Sequence, residues 1–124
     1  MTQIKDQGIL RETSCSEELF AIRDSLEILG GKWKLLILIY LKNRQDQLVH
    51  FKMIERGIQG ISAKMLSKEL KELEINELVT RTIQDTRPIT VTYALTDYGK
   101  SVIPVIEALV QWGFDHRMMI KKTR

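Results

Sequence analysis

The chain has 124 residues, of which 44% are hydrophobic and 28% charged, which excludes an intrinsically disordered protein and fits a single globular core. Its single cysteine excludes an internal disulfide framework, and its net charge of +3 permits a nucleic-acid partner without requiring one. The longest apolar run, 35–41, is too short to cross a bilayer and no apolar signal segment opens the chain, so we expect a cytoplasmic protein without a membrane partner.

Residues 1–13 are polar and without periodic pattern, which predicts a flexible N-terminal arm ahead of one domain that spans residues 14–124. A first helix begins after Ser14, because Ser14 and Glu17 have the spacing of a capping box. Gly30-Gly31 ends this helix, since glycine adopts the left-handed conformation of a helix C-terminus at low cost. Its apolar residues recur at helical intervals: Leu19, Ile22, Leu26 and Leu29.

The next segment predicts a helix-turn-helix. A helix from about Lys32 to Leu41 is apolar on nearly every side and should be buried at the centre of the domain. After a polar loop, a short helix over about 49–56 is followed by a tight turn at 57–60. Ser62 is then a good N-cap for a helix over 62–75, with Ile61 and Leu66 at the spacing of a hydrophobic staple.

The pattern changes to that of strands after this helix. Segments 78–83 and 89–95 are rich in β-branched residues and are separated by a turn that contains Pro88, which predicts a β-hairpin. Thr96 caps a final helix that should run to about Ile120 with a kink at Pro104. The order predicts a mainly α (α+β) fold: a winged helix-turn-helix with a two-stranded wing and a long C-terminal helix.

Three lysines mark the helix over 62–75 as a candidate DNA-binding element. Lys64, Lys68 and Lys71 lie in one stripe at 100° per residue, opposite the leucines that should face the core. Such a helix suits the major groove, where its N-terminal residues reach base edges and its lysines reach phosphates. The candidate contacts on it are Ser62, Lys64, Met65, Ser67, Lys68 and Lys71.

The same helix is equally consistent with a solvated surface, because Glu69, Glu72 and Glu74 cancel the three lysines in net charge. In the hairpin, Arg81 on a strand and Arg87 at the tip could meet the minor groove or its phosphates. The alternative is that the tip carries polar residues only because hairpin tips are exposed to solvent. The turn before the helix and the hairpin after it favour DNA.

Taken together, these segments resemble the HxlR-type family of winged-helix regulators, relatives of the MarR-like group. The resemblance spans about 15–113, and the Gly-Gly-Lys-Trp and Gly-Ile-Ser blocks are its most specific parts. One departure is Asn76-Glu77, where the family has an Asp-Gly-like turn. The matching residues are Cys15, Leu29-Gly30-Gly31-Lys32-Trp33, Phe51, Ile54, Gly60-Ile61-Ser62, Lys64-Met65-Leu66, Leu70, Leu73, Leu78-Val79, Arg81, Pro88, Tyr93, Leu95-Thr96, Gly99, Ile103-Pro104 and Trp112-Gly113.

The resemblance implies a homodimeric transcriptional regulator whose first and last helices form the dimer interface and whose 62–73 segment is the recognition helix. The last helix also carries more apolar surface than one small domain can cover, which favours a dimer independently. A twofold dimer would place two recognition helices on successive turns of a palindromic operator. The candidate interface residues are Leu19, Ile22, Ile106, Leu109, Val110, Trp112 and Phe114.

Cys15 is a candidate redox sensor. It lies at the start of the first helix, where the helix dipole favours a thiolate, and Arg11 and Arg23 are near in sequence while Glu17 and Glu18 oppose them. Some members of the resembled family detect oxidants or electrophiles through a cysteine at this position. A structural role for Cys15 at the helix start is an equal alternative.

The sequence predicts no enzyme, metal or cofactor. His50, His116 and Cys15 lack the paired spacing of a zinc site, no phosphate-binding or dinucleotide glycine motif occurs, and Cys15 has no recognisable base partner. The alternative to DNA binding is a winged helix used only for protein–protein contact, with the lysine stripe solvated. Steep salt dependence of binding would distinguish DNA from this alternative.

Overall fold

The computed structural model describes residues 1–123. From residue 15 onward its elements follow the predicted order of helix, helix, helix-turn-helix, hairpin and long helix, so the winged helix-turn-helix fold is confirmed. The elements are β1 (Gln3–Asp6), β2 (Ile9–Glu12), α1 (Cys15–Leu29), α2 (Lys34–Lys42), α3 (Phe51–Gly57), α4 (Ala63–Ile75), β3 (Val79–Gln84), β4 (Thr90–Leu95), α5 (Asp97–Lys100) and α6 (Ile103–Thr123).

The chain divides into two compact units, and the first is Met1–Gly31. Residues 1–13, for which the sequence predicts a flexible arm, contain regular structure: β1 and β2 pair as an antiparallel hairpin with Gln3 opposite Glu12. Gln7 and Gly8 both have positive φ, at 50° and 85°, which is the backbone of a tight two-residue hairpin turn. A polar composition indicates exposure to solvent, but backbone hydrogen bonds still form the ladder.

Helix α1 begins as the sequence predicts. The Glu17 N–H donates to Ser14 Oγ at 3.2 Å, and the Ser14 N–H donates to the Glu17 carboxylate at 3.0 Å, which confirms the capping box. The helix ends at Gly30, and Gly31 takes the left-handed conformation at a φ of 92°. The second unit begins at the next residue.

The hydrophobic core lies in the second unit. Helix α2 is central to it, as predicted, although it begins at Lys34 rather than at Lys32. The turn between α3 and α4 contains Gly60 at a φ of 88°, a conformation that favours glycine. The buried apolar residues are Ile37, Leu38, Leu41, Val49, Ile54, Ile58, Ile61, Leu66, Leu70, Leu73, Leu78, Val79, Leu95, Val102 and Ile106.

The end of α4 explains the departure at Asn76-Glu77. Asn76 keeps a negative φ of −84°, and Glu77 takes the left-handed conformation at a φ of 63°. The Leu78 N–H donates to the Leu73 carbonyl at 3.0 Å, the six-residue closure of a Schellman motif. The left-handed residue is therefore Glu77, and this glutamate occupies a conformation that glycine takes at lower cost.

The wing is an antiparallel pair in which Val79 lies opposite Leu95 and Arg81 opposite Tyr93. It is attached to the helix-turn-helix at its base, because the Tyr93 N–H donates to the Val49 carbonyl at 2.9 Å and His50 forms a bridge with Thr92. These backbone bonds fix the hairpin beside the segment that leads into α3.

The region after the wing forms two helices instead of one kinked helix. Thr96 caps the short α5, with its Oγ1 accepting from the Gly99 N–H at 2.8 Å, and α6 begins at Ile103. Pro104 is the second residue of α6, so the predicted kink inside a continuous helix is wrong. Proline has no N–H and clashes with the preceding turn, and both costs vanish in the first turn of a new helix.

Candidate nucleic-acid interface

The face that α4 turns to solvent is fixed by its leucines. Leu66, Leu70 and Leu73 are buried in the core, which fixes the rotation of the helix about its own axis. Ser62 caps the helix through its Oγ, which accepts from the Met65 N–H at 3.1 Å. The opposite face is exposed and carries Lys64, Ser67, Lys68 and Lys71, while Met65 is half-buried at its border.

A buried lysine from α2 binds two of the acidic residues of α4. Lys34 Nζ lies 2.6 Å from the Glu69 carboxylate and 2.5 Å from that of Glu72. The Lys34 and Glu69 side chains are only 11% and 10% exposed, whereas that of Glu72 is 39% exposed. Two of the three carboxylates that cancel the lysines in the sequence are therefore bound by α2.

The pKa values of this cluster follow from the ion pairs. Burial lowers the pKa of Lys34, but the hydrogen bonds to Glu69 and Glu72 outweigh that effect and leave it above its ordinary value. The Lys34 hydrogen bond holds the pKa of Glu72 below its ordinary value. Lys34 and Glu72 are therefore both charged at neutral pH.

The exposed lysines of α4 remain available to an anionic partner. Within residues 1–123, Lys64, Lys68 and Lys71 form no salt bridge. Glu74, which is also on α4, is exposed beside these lysines. Helix α4 thus has equal numbers of acidic and basic residues, but its outer face is predominantly positive.

The ion pairs of Lys34 were not predicted from the sequence, although its position in the chain indicates that it needs a partner. A charged residue at the start of an otherwise apolar, buried helix needs a buried partner of opposite charge. That partner lies 35 positions away along the chain. The requirement can be read from the sequence, but the identity of the partner cannot.

The wing adds a further cation to the same surface. A groove of about 250 Å³ separates α4 from the wing, and its lining includes Ser67 and Lys71 from the helix and Arg81 from β3. Arg87 is exposed in the turn between β3 and β4. The structure thus brings Arg81 beside the lysine-bearing helix and places Arg87 in the loop of the hairpin.

Cys15 is the first residue of α1 and is exposed. The nearby Arg11 is engaged, because its guanidinium lies 3.0 Å from Asp6 and 2.5 Å from Glu17. Those carboxylates hold the pKa of Arg11 above its ordinary value and neutralise its charge. The expected contribution of Arg11 to the potential at Cys15 is therefore small.

Large apolar side chains remain exposed on α1 and α6. Ile106 differs from the other candidate interface residues, because it is 2% exposed and belongs to the core. Trp112 is 64% exposed and stacks on His116 with the ring centroids 4.9 Å apart. The exposed candidates are Leu19, Ile22, Leu109, Val110, Trp112 and Phe114.

The described residues, 1–123, contain neither a metal-binding cluster nor a membrane-spanning helix. No group of three or more His, Cys, Asp and Glu side chains in that range is arranged to hold a metal ion. No helix among the described residues combines the length and apolar character that a bilayer crossing requires. His50 precedes α3 as its N-cap residue, and His116 lies on the exposed surface of α6.

Comparison with known proteins identifies close similarity over most of the chain. Residues 28–121 match the HxlR-like helix-turn-helix family. An HTH-type transcriptional regulator of Methanothermobacter thermautotrophicus is 41% identical over 97 residues, which cover 78% of this chain and 72% of that protein.

Two solved structures are similar in fold and sequence. The reduced form of the transcriptional regulator YodB from B. subtilis is 36% identical, with a TM-score of 0.65 over 74% of this chain and 87% of YodB. The redox regulator HypR in its reduced form is 27% identical, with a TM-score of 0.73 over 82% of this chain and 98% of HypR.

The Arg11–Glu17 pair predicts an acid-range titration. The hydrogen bond from Arg11, followed by that from the Ser14 backbone, lowers the pKa of Glu17 from 4.5 to about 2. Because the folded pKa is depressed, the pair stabilises the start of α1 above pH 4.5, and this contribution is lost as the pH falls toward 2. Carboxyl ¹³C NMR should show a Glu17 midpoint near 2 that Arg11→Ala raises and Lys5→Ala leaves in place. A wild-type midpoint near 4.5 contradicts the pairing.

Proposed function

The chain belongs to the HxlR-like helix-turn-helix family of DNA-binding transcriptional regulators, and we propose that it binds a palindromic operator as a homodimer. The observation that carries the proposal is the sorting of charge on α4. Lysines occupy its outer face, while Glu69 and Glu72 are bound by Lys34. A solvated surface helix has no need of this separation.

In the proposed complex, α4 enters the major groove. Its N-terminal side chains, Ser62, Lys64, Met65 and Ser67, reach base edges, and Lys68 and Lys71 contact phosphates. The unpaired N–H groups of the first turn offer a further phosphate site beside Ser62. Arg81 and Arg87 of the wing contact the backbone or the adjacent minor groove.

The DNA surface is tested with a duplex selected from a random-sequence library by the purified protein. Lys64→Ala, Lys68→Ala and Arg87→Ala should each weaken binding, because each removes a cation from the proposed interface. Each variant should also reduce the slope of log K against log salt by about 1 if it removes a phosphate contact. Fluorescence anisotropy at several salt concentrations measures both quantities.

Lys5→Ala is the matched control, since it removes the same charge from the N-terminal hairpin, outside the family match of 28–121. It should bind like wild type. Wild-type affinity in all three interface variants would show that the assigned surface is wrong. A protein that binds no duplex even at low salt would favour the protein–protein alternative.

The exposed apolar faces of α1 and α6 support the homodimer. Large apolar side chains exposed in such number on two helices are unusual for a monomeric soluble protein, and a second copy of the chain would cover them. We assign Leu19 and Ile22 on α1 and Leu109, Val110, Trp112 and Phe114 on α6 to this interface. Ile106 is left out because the core of its own chain buries it.

Leu109→Glu tests the dimer, because it places a charge on the apolar face of α6 while the core residues stay unchanged. Sedimentation equilibrium should give twice the chain mass for wild type and the chain mass for the variant, which should also lose operator affinity. Gln111→Glu, on the polar side of the same helix, should remain dimeric. A monomeric wild type, or a dimeric Leu109→Glu, contradicts the assignment.

We further propose that modification of Cys15 changes the dimer geometry and thereby the operator affinity. The support is its exposure at the start of a 15-residue helix, together with the similarity to a protein described as a redox regulator. The routes are alkylation, a Cys15–Cys15 disulfide across the dimer and a mixed disulfide with a small thiol. In the last, the Cys15 thiolate attacks oxidised glutathione and one glutathione thiolate leaves.

Two reagents test this role. One is oxidised glutathione, and the other is N-ethylmaleimide, to whose double bond the Cys15 thiolate adds. Operator affinity of the wild type should change after either treatment, and that of Cys15→Ser should not. Mass spectrometry of the same samples measures the extent of modification. An unchanged affinity in a fully modified wild type would assign Cys15 a structural role.

A further inference from the structure

Lys34 is buried, with its side chain only 11% exposed, yet it binds a residue at the edge of the outer face of α4. Glu72 follows Lys68 by four positions, so the two side chains are neighbours on the helix surface at the spacing that favours an ion pair. Lys68 forms no salt bridge among the described residues, and the Glu72 carboxylate instead lies 2.5 Å from Lys34 Nζ.

The pKa of Glu72 supports a competition between Lys34 and Lys68 for its carboxylate. The pKa of Glu72 is lowered first by Lys34 and also by the charge of Lys68, so Lys68 lies within electrostatic reach. If Lys34 were absent, Glu72 would be free to turn toward Lys68. That pair would neutralise a cation of the outer face and place a carboxylate beside the DNA phosphates.

We propose that Lys34 is a positioning residue for DNA binding, which holds the Glu72 carboxylate and so leaves Lys68 free to contact a phosphate. The proposal rests on the proposed function, because it concerns affinity for the DNA that α4 binds. It assigns a role in recognition to a buried residue of α2 that makes no contact with DNA.

The two carboxylates on Lys34 have separable roles. Glu69 is almost buried, at 10% exposure, so an unpaired Glu69 chiefly weakens the fold. Glu72 is 39% exposed and remains solvated without its partner, so its release chiefly changes the charge of the outer face. Loss of the Lys34–Glu69 pair should therefore lower stability, and loss of the Lys34–Glu72 pair should lower DNA affinity.

Matched variants separate these roles even if Lys34→Met alone does not fold. In Lys34→Met/Glu69→Gln the buried carboxylate is removed together with its partner, so the fold is retained while Glu72 is released. This variant should bind the selected duplex about fivefold to tenfold more weakly than wild type, with a salt slope smaller by about 1. Adding Glu72→Gln to it should restore affinity to within about twofold, because no carboxylate remains to engage Lys68.

Two controls make the test specific. Glu72→Gln in the wild-type background should change affinity by less than about twofold, because Lys34 already holds this carboxylate. Lys68→Ala should weaken the wild type but have little effect in Lys34→Met/Glu69→Gln, where Lys68 is already engaged. Circular dichroism and urea unfolding of every variant establish that each is folded under the binding conditions.

The proposal is overturned if Lys34→Met/Glu69→Gln binds like wild type, or if adding Glu72→Gln to it restores nothing. It is also overturned if Glu72→Gln strengthens binding equally in both backgrounds, because the carboxylate would then act independently of Lys34. Failure of the proposed function is a different result: Lys64→Ala, Lys68→Ala and Arg87→Ala would then all leave wild-type binding unchanged.

Discussion

The burial of one face of α4 is the constraint on which the rest of the site depends. Full burial of a leucine contributes about 1.5–3 kcal/mol, and Leu66, Leu70 and Leu73 all lie in the core. Together they leave the helix a single rotation about its axis. That rotation decides which lysines are exposed to solvent and which acidic residues lie within reach of Lys34.

Charge sorting around α4 adds to this constraint without replacing it. A buried ion pair is weak evidence of stabilisation, since the desolvation of both groups offsets much of their attraction. The Lys34 ion pairs chiefly affect specificity, because they fix where the negative charges of an electrically neutral helix lie. The apolar core holds α4 in place, and Lys34 determines what charge it presents.

The wing and the apolar helices illustrate two other outcomes of the same packing. The backbone hydrogen bond from Tyr93 to Val49 and the His50–Thr92 bridge fix the wing at its base, so that Arg81 shares a groove with Lys71. On α6, by contrast, Ile106 enters the core while Leu109 and Trp112 stay in water. In the sequence these three are simply apolar residues of one helix, and only the packing divides them into core and surface.

The sequence by itself determined the order of the elements, both Ser-based helix caps, the lysine stripe and the family, because these depend on local spacing and residue type. It did not predict the hairpin at the N-terminus or the left-handed conformation of Glu77, and it predicted a kink at Pro104 where a new helix begins, because backbone hydrogen bonding and sterics decide between local alternatives there. The pairing of Lys34 with Glu69 and Glu72 was decided only by the tertiary structure. A contact across 35 positions leaves no periodic trace in the chain, since it exists only once the two helices have packed.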